Sequence, residues 1–522
     1  MYNQPAMSEN QVEVLVPPVK SEGDKKEYRL IKLQNGLKAL LIRNFDESSK
    51  DELPAAACLN VGVGSFDEPK NIGGLGHFLE HMLFMGSEKY PEESGFNNFI
   101  SLHGGQRNAE TDHEHTAYYF KISENAFPEA LDRLAQFFFS PLLLKDALHR
   151  EREAVDSEFL MAQSQEIARL LAFIKSRIND DHFASFFDYG NLKTLKDDLT
   201  DDELYDAVRE FFKKYVANNM WLSVQSNKTL DELQQLVVDK FSAIKSGEIV
   251  VKPKQSIEEI LKPEFHEKMH FIKPLKDTQS LRITWFIDSV EKHFKCRPIG
   301  YFEAIFENQG EGTLSSYLKD QNLASTMYLL TSAQGFLANS AFAMMILMID
   351  LTYFGLENVD KVLEATFAYL LMIKETPIEE HRRLFNDHNE GNKLEFKFHS
   401  ESGSIANVSN ACIGMKYFDD VNIIRSHSFA LEFDEKVITS IINAVNERKF
   451  NLNILNGKHE KFELKEKYFG VEYDEQDFPE SYQKLWDDRQ LKPEFFLEKP
   501  NPFKATNFEI FVNDEESTVS MN

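Results

Sequence analysis

Apolar positions in this chain switch between a two-residue period, which marks half-buried strands, and a period near 3.6, which marks helices with one buried face. After an unpatterned stretch at 1–26, read as a flexible arm, residues 28–42 hold two alternating runs around Asn35-Gly36, as expected of a tight hairpin. Residues 55–63 predict the next strand. Gly62, Gly64 and the pair Gly73-Gly74 then loosen the chain before a helix in which Leu75, Phe78, Leu79 and Met82 recur at i, i+3, i+4 and i+7. On this reading the apolar stripe enters a core, while His77, Glu80, His81 and Phe84 face elsewhere. Further along, 115–122 predicts a strand, 128–140 a helix, 145–178 one long helical stretch, 220–225 a strand and 230–241 an amphipathic helix.

Residues 244–263, rich in Lys, Pro and Glu, predict a linker, after which the order starts again. Strands are expected at 281–287, 327–331 and 450–455, and helices at 298–307 and 359–374. The fold class expected is α+β, built from two homologous mixed α/β units, each an antiparallel-rich sheet packed by helices. Residues 27–255 form the first unit, 256–505 the second, and 506–522 a polar, acidic tail.

At 522 residues the chain exceeds what one core can organise, which agrees with two units. The formal charge of -27, from 85 acidic against 58 basic residues, argues against nucleic acid and anionic membrane surfaces as partners and favours basic peptides. Cys58, Cys296 and Cys412 are odd in number and far apart, so neither a disulfide framework nor a cysteine metal site is readable, and a reducing, cytoplasmic setting is expected. Residues 1–20 lack a secretory or transit pattern, and no 18-residue apolar run predicts a membrane span.

The helix at 75–83 changes the picture, because its polar residues spell His77-x-x-Glu80-His81. Two imidazoles at i and i+4 lie one turn apart, as two ligands of one tetrahedral zinc must, and Glu80 beside them is placed as a base. A third protein ligand is needed. Glu151 and Glu158, seven residues apart on one helical face, are both candidates to ligate or to support a ligating histidine, whereas Glu153 and Asp156 point away. His113 and His115 share a strand face but read as loop or surface histidines, and His103 and His182 lie beside turn signals. There is no Walker motif, nucleophile elbow or cysteine nucleophile setting.

With these residues in view, the chain resembles the inverzincin, pitrilysin-type zinc metallopeptidases of the insulysin and nardilysin family. The blocks that carry the likeness are 62–69, 77–86, 89–91, Asn108-Ala109 with Thr111, and 151–158; 283–285 and 466–470 lean towards the nardilysin branch. The resemblance implies that His77, His81 and Glu158 hold one zinc ion, that Glu80 is the general base, and that Glu151 supports the site from behind a ligand. It also implies that Asn108 and Ala109 align the substrate backbone, that Phe84 walls the cleavage-site pocket, and that 327–331 lies at a second peptide-anchoring edge. The fold implied is one half of a clamshell chamber, since family enzymes are normally about twice as long. A second half-chain or a homodimer is therefore the expected partner.

Two functions follow as expectations. One is a zinc metalloendopeptidase acting on oligopeptides, with Glu110 and Glu114 beside the substrate strand favouring basic residues. The other is a catalytically weak peptide-binding or regulatory half-subunit that needs a partner chain for activity.

Overall fold

Gly36 sits at φ +88° in the predicted hairpin turn, and a Cβ there would lie 2.6 Å from the Asn218 Cβ, so both conformation and space call for glycine. A computed structural model describes residues 12–44, 54–332, 334–398 and 402–502. Strands β1 (Val12–Leu15), β2 (Glu27–Leu33), β3 (Lys38–Arg43), β4 (Ala55–Val61), β5 (Gln106–Thr111), β6 (Thr116–Ile122) and β7 (Met220–Ser226) form one sheet in the order β1-β2-β3-β7-β4-β6-β5. Only β3 and β7 pair parallel; the other neighbours are antiparallel.

The second sheet uses β8 (Lys268–Ile272), β9 (Gln279–Asp288), β10 (Ala324–Leu330), β11 (Phe342–Leu351), β12 (Phe450–Asn456), β13 (Leu464–Lys465) and β14 (Glu472–Asp477), ordered β10-β11-β9-β12-β8-β14-β13. Its single parallel pair is β8 with β12. Strands β3 to β7 and β8 to β12 therefore have the same order and pairings, and the expected repeat is present. In each sheet the strand farthest from the parallel pair on that side, β5 or β10, is an open edge. The outer pair differs: β1 and β2 precede their unit, whereas β13 and β14 follow theirs.

Four helices matter most for the site: α1 (Leu75–Leu83), α2 (Leu148–Ala162), α3 (Glu166–Lys175) and α4 (Ser404–Tyr417). Helix α1 packs its Leu75, Phe78, Leu79 and Met82 against one face of the first sheet. The opposite face, with Leu30, Leu40, Ile42, Ala56, Cys58 and Ala117, is covered by Val408, Ala411, Cys412 and Met415 of α4, which comes from the second unit. In return, Phe159 of α2 and Phe173 and Ile174 of α3 pack with Phe286, Phe342, Met344, Ile346 and Met348 on the second sheet. Each unit thus lends a helix to the other, which is why β4 is buried along its whole length.

Three expectations need correction. The helical stretch 145–178 is broken at 163–165, where the Ser164 hydroxyl donates to the Met161 carbonyl and offers that terminal acceptor a local partner, so α3 turns towards the second sheet. The linker is held at both ends: the Gly247 N–H donates to Asn218 and Lys252 lies 3.1 Å from Asp67 of the first unit, while Ser256 caps the short helix Ile257–Ile260, and Ile260 and Leu261 are buried. Val12–Leu15, read as part of the arm, pair with β2 as an edge strand; residues 1–11 and the tail at 506–522 lie outside the described residues.

Because cores are shared, the units should unfold together. Phe173→Ala, at a fully buried position, is expected to cost about 3–5 kcal/mol and to move a single calorimetric transition. A transition that splits in two, with one part unmoved, would contradict shared packing.

Candidate metal centre

Helix α1 begins at Gly74, which has φ +85° and whose added Cβ would lie 2.1 Å from the Gly190 Cα. This glycine-to-glycine contact brings residues 187–190 against the helix start. The Gly74 and Gly76 N–H groups donate to Glu68 at 2.7 and 2.8 Å, so a carboxylate satisfies free donors of the first turn. Burial pushes the Glu68 carboxyl well above its ordinary value, opposed by those two N–H groups. Glu68 escaped the sequence reading although it lies inside one of the blocks that carry the resemblance; a carboxylate shortly before a glycine-led helix was the available signal.

The polar residues of α1 do not form one outward stripe. His77 and His81 turn towards α2, whereas Glu80 and Phe84 are each only 7% exposed. His77 Nε2 lies 3.2 Å from one Glu158 oxygen and His81 Nε2 3.6 Å from the other. Among the described residues these three form the group able to hold a metal ion, their ligand atoms lying within 4.8 Å of one another. Bonds of about 2.0–2.2 Å in a tetrahedron place ligand atoms about 3.2–3.6 Å apart, so the donor set fits zinc. The remote ring nitrogens are held as well: His77 Nδ1 faces the Tyr189 carbonyl at 3.0 Å and His81 Nδ1 faces Glu151 at 3.3 Å. Both contacts turn Nε2 towards the shared centre.

Helix α2 separates the two acids that the residues alone left open: Glu158 bridges the imidazoles, and Glu151 touches the back of His81. Asp156 instead accepts from the Leu192 N–H at 2.9 Å, and Glu153 lies 3.9 Å from Lys196, so both point away as predicted.

Glu80 accepts from the Thr111 hydroxyl at 2.8 Å, which ties the helix to β5. Burial raises its carboxyl, against the pull of His77, the Thr111 hydroxyl and His81. Burial lowers the His77 imidazole, but the Glu158 hydrogen bond and the Glu80 charge outweigh it and lift it to about 9. Phe84 packs on Phe137 at 5.0 Å, and the Arg107 guanidinium lies 4.6 Å from its ring centroid. Asn108 and Ala109 lie on open-edged β5, where Asn108 donates to the Tyr119 hydroxyl at 3.3 Å. Glu110 is on the same strand, and Glu114 lies in the link that follows it, where its carboxylate accepts from the N–H and hydroxyl of Ser340 in the second unit.

His113 and His115 lie in the loop between β5 and β6, as read, but are not at the surface and do not share a strand face. His113 bridges Asp112 at 2.7 Å and Asp188 at 2.8 Å, while His115 is buried and its imidazole is lowered to about 4, by burial and then by Lys416. Asp188 also pairs with Lys175 at 2.5 Å; these two cations outweigh its burial and hold it well below the usual carboxylate range. The Asp188–His113–Lys175 group anchors the segment whose next residue, Tyr189, meets His77. Sequence reasoning missed it because its members are scattered. His182 caps the turn Phe183–Ser185, and His103 faces the Phe99 carbonyl; neither approaches the centre.

The chain is similar to known proteins over most of its length. Residues 46–182 match the description "Insulinase (Peptidase family M16)", 203–383 "Peptidase M16 inactive domain", and 396–520 "Middle or third domain of peptidase_M16". The chain belongs to the M16 peptidase family. Within it the chain is of the insulysin and nardilysin type: it is 34% identical to nardilysin of Mus musculus over 465 residues, covering 88% of this chain and 40% of that protein. It is 31% identical to insulin-degrading enzyme of Bos taurus over 511 residues, covering 96% and 48%. A crystal structure of pitrilysin superposes with a TM-score of 0.86 at 26% identity, covering 97% of this chain and 53% of that one. A protease from Helicobacter pylori shares the fold, with a TM-score of 0.62 at 16% identity over 83% of this chain and 100% of that one. The chain spans about half the length of the curated relatives it matches.

Metal and proton compete for His77. In the metal-free chain its raised pKa stabilises the fold fully below the ordinary value of 6.5, and that contribution is lost as pH rises through about 9. Zinc uptake at pH 7 should therefore release close to one proton from His77, read by titration calorimetry in buffers of different ionisation enthalpy. Binding heats independent of buffer would contradict this. Glu151→Ala should weaken zinc binding about 10–100-fold, measured against a chromophoric chelator; unchanged affinity would remove its supporting role.

Proposed function

We propose that this chain is the metal-bearing half of a zinc metalloendopeptidase that cleaves oligopeptides. The observation that carries the reading is the convergence of His77, His81 and Glu158 next to buried Glu80, under an open sheet edge. His77, His81 and Glu158 are the zinc ligands, with Glu151 behind His81. When bound, zinc supplies Lewis acidity to the scissile carbonyl and lowers the pKa of water at the site.

The rest is the work of the chain. Glu80 takes the proton of the attacking water and returns it to the leaving amine; its raised carboxyl pKa brings it nearer to the working pH of such a base. The Thr111 hydroxyl orients that carboxyl. Strand β5 receives the peptide as an added strand through Asn108 and Ala109, with β10 as a second open edge, and Phe84 with Arg107 floors the pocket. Glu110 favours basic residues at the positions it meets, in keeping with the overall charge of -27.

The second reading, a peptide-binding half that needs a partner chain, is supported by coverage of 40–48% of the relatives' length. A second half-chain or another copy would supply the facing wall and exclude water, which raises rates by strengthening every charge interaction inside. The unpaired cysteines support a reducing, cytoplasmic setting, and among the described residues no helix is long and apolar enough to cross a membrane.

A quenched-fluorescent oligopeptide assay tests the reading. Chelator should abolish cleavage, and Glu80→Gln should slow it by about 10²–10⁴-fold with zinc content unchanged. Cleavage insensitive to both would contradict it. Peptide binding without cleavage, turned into cleavage by an added partner chain, would select the second reading.

A further inference from the structure

Strand β5 carries opposite charges on its two faces. Arg107, Ala109 and Thr111 face α1: the Arg107 guanidinium lies over Phe84 at 4.6 Å, Ala109 packs against the first core, and Thr111 donates to Glu80 at 2.8 Å. Strand alternation sends Asn108 and Glu110 to the other face, where Asn108 meets Tyr119. Among the described residues neither Arg107 nor Glu110 forms an ion pair. Both charges are therefore available to a ligand.

We infer that Arg107 and Glu110 together set a paired charge preference, so that the substrate class is a peptide that carries an acidic residue facing Arg107 and, three positions away on the other face of the added strand, a basic residue facing Glu110. The inference rests on the proposal that peptides add to β5. A peptide added to that edge alternates with the same period as β5, so the side chain paired with Arg107 falls on the α1 face and the one paired with Glu110, three positions along, falls on the other. Stacking on Phe84 restrains the guanidinium, and its planar fork suits a carboxylate better than any other peptide side chain. A lysine or arginine at the same position meets like charge. This divides the basic preference by face: it holds at Glu110 and reverses at Arg107.

The test uses the full chain loaded with zinc and a set of quenched-fluorescent peptides of neutral sequence, each with one Glu or one Lys placed at successive positions around the cleaved bond. One position should prefer Glu over Lys by about tenfold, and the position three residues away Lys over Glu, with the others near parity. Arg107→Ala should bring the Glu preference to within about twofold of parity, Arg107→Lys should keep part of it, and Glu110→Gln should affect only the Lys preference. Anisotropy binding of the same peptides to the Glu80→Gln variant separates the two ideas. The paired preference in binding without wild-type cleavage would support the charge preference and remove the peptidase reading. Equal handling of Glu and Lys, or a Glu preference that survives Arg107→Ala, would overturn the charge preference while cleavage stood. Neither binding nor cleavage of any peptide would overturn both.

Discussion

The position of Glu158 depends on the residue after it. Phe159 turns away from the candidate metal centre into an aromatic cluster, with ring centroids 5.3 Å from Phe187, 6.3 Å from Tyr189 and 5.2 Å from Phe469. Phe469 belongs to the second unit, and Tyr189 offers the carbonyl that faces His77. One buried contact therefore sets both the third candidate ligand and the orientation of the first. The second unit carries no His-x-x-Glu-His of its own, yet it takes part in the geometry of the centre.

The same constraint explains the electrostatics around it. With α2 held, Glu158 spans the two imidazoles and lifts His77, while β5 closes over Glu80 through Thr111. Lys175, on the helix that covers the second sheet, pairs with Asp188, so a charge from α3 helps to hold the backbone behind His77. The result is a donor set held beside a strand edge, the combination that the proposed peptide hydrolysis calls for: charges fixed near the attacking water and a backbone template for the peptide.

Much of this was legible in the sequence, because the strongest signals are local. The Asn35-Gly36 hairpin, the β4 strand, the apolar face of α1 and the His77-x-x-Glu80-His81 spacing are each written within a few residues, and each appears where expected. The repeat was visible as an order of elements. Other features were hidden because they are made by distant pairs. Nothing in 404–417 marks it as the cover of a sheet formed by residues before 227, since a helix with apolar residues looks alike whichever sheet it covers. Glu151 and Glu158 share a helical face, and only the crossing of α2 over α1 separates their contacts. His113 and His115 lie in a loop as read, but their burial was hidden, because it is imposed by Asp188 and by the second unit.

The central claim is that one metal ion sits between His77, His81 and Glu158. X-ray absorption at the zinc edge of the loaded full chain tests it most directly. The account predicts a first coordination sphere of nitrogen and oxygen only, with the multiple scattering of two imidazoles, reduced to one in His77→Ala. Sulfur in that sphere, or an unchanged imidazole signal in His77→Ala, would contradict it.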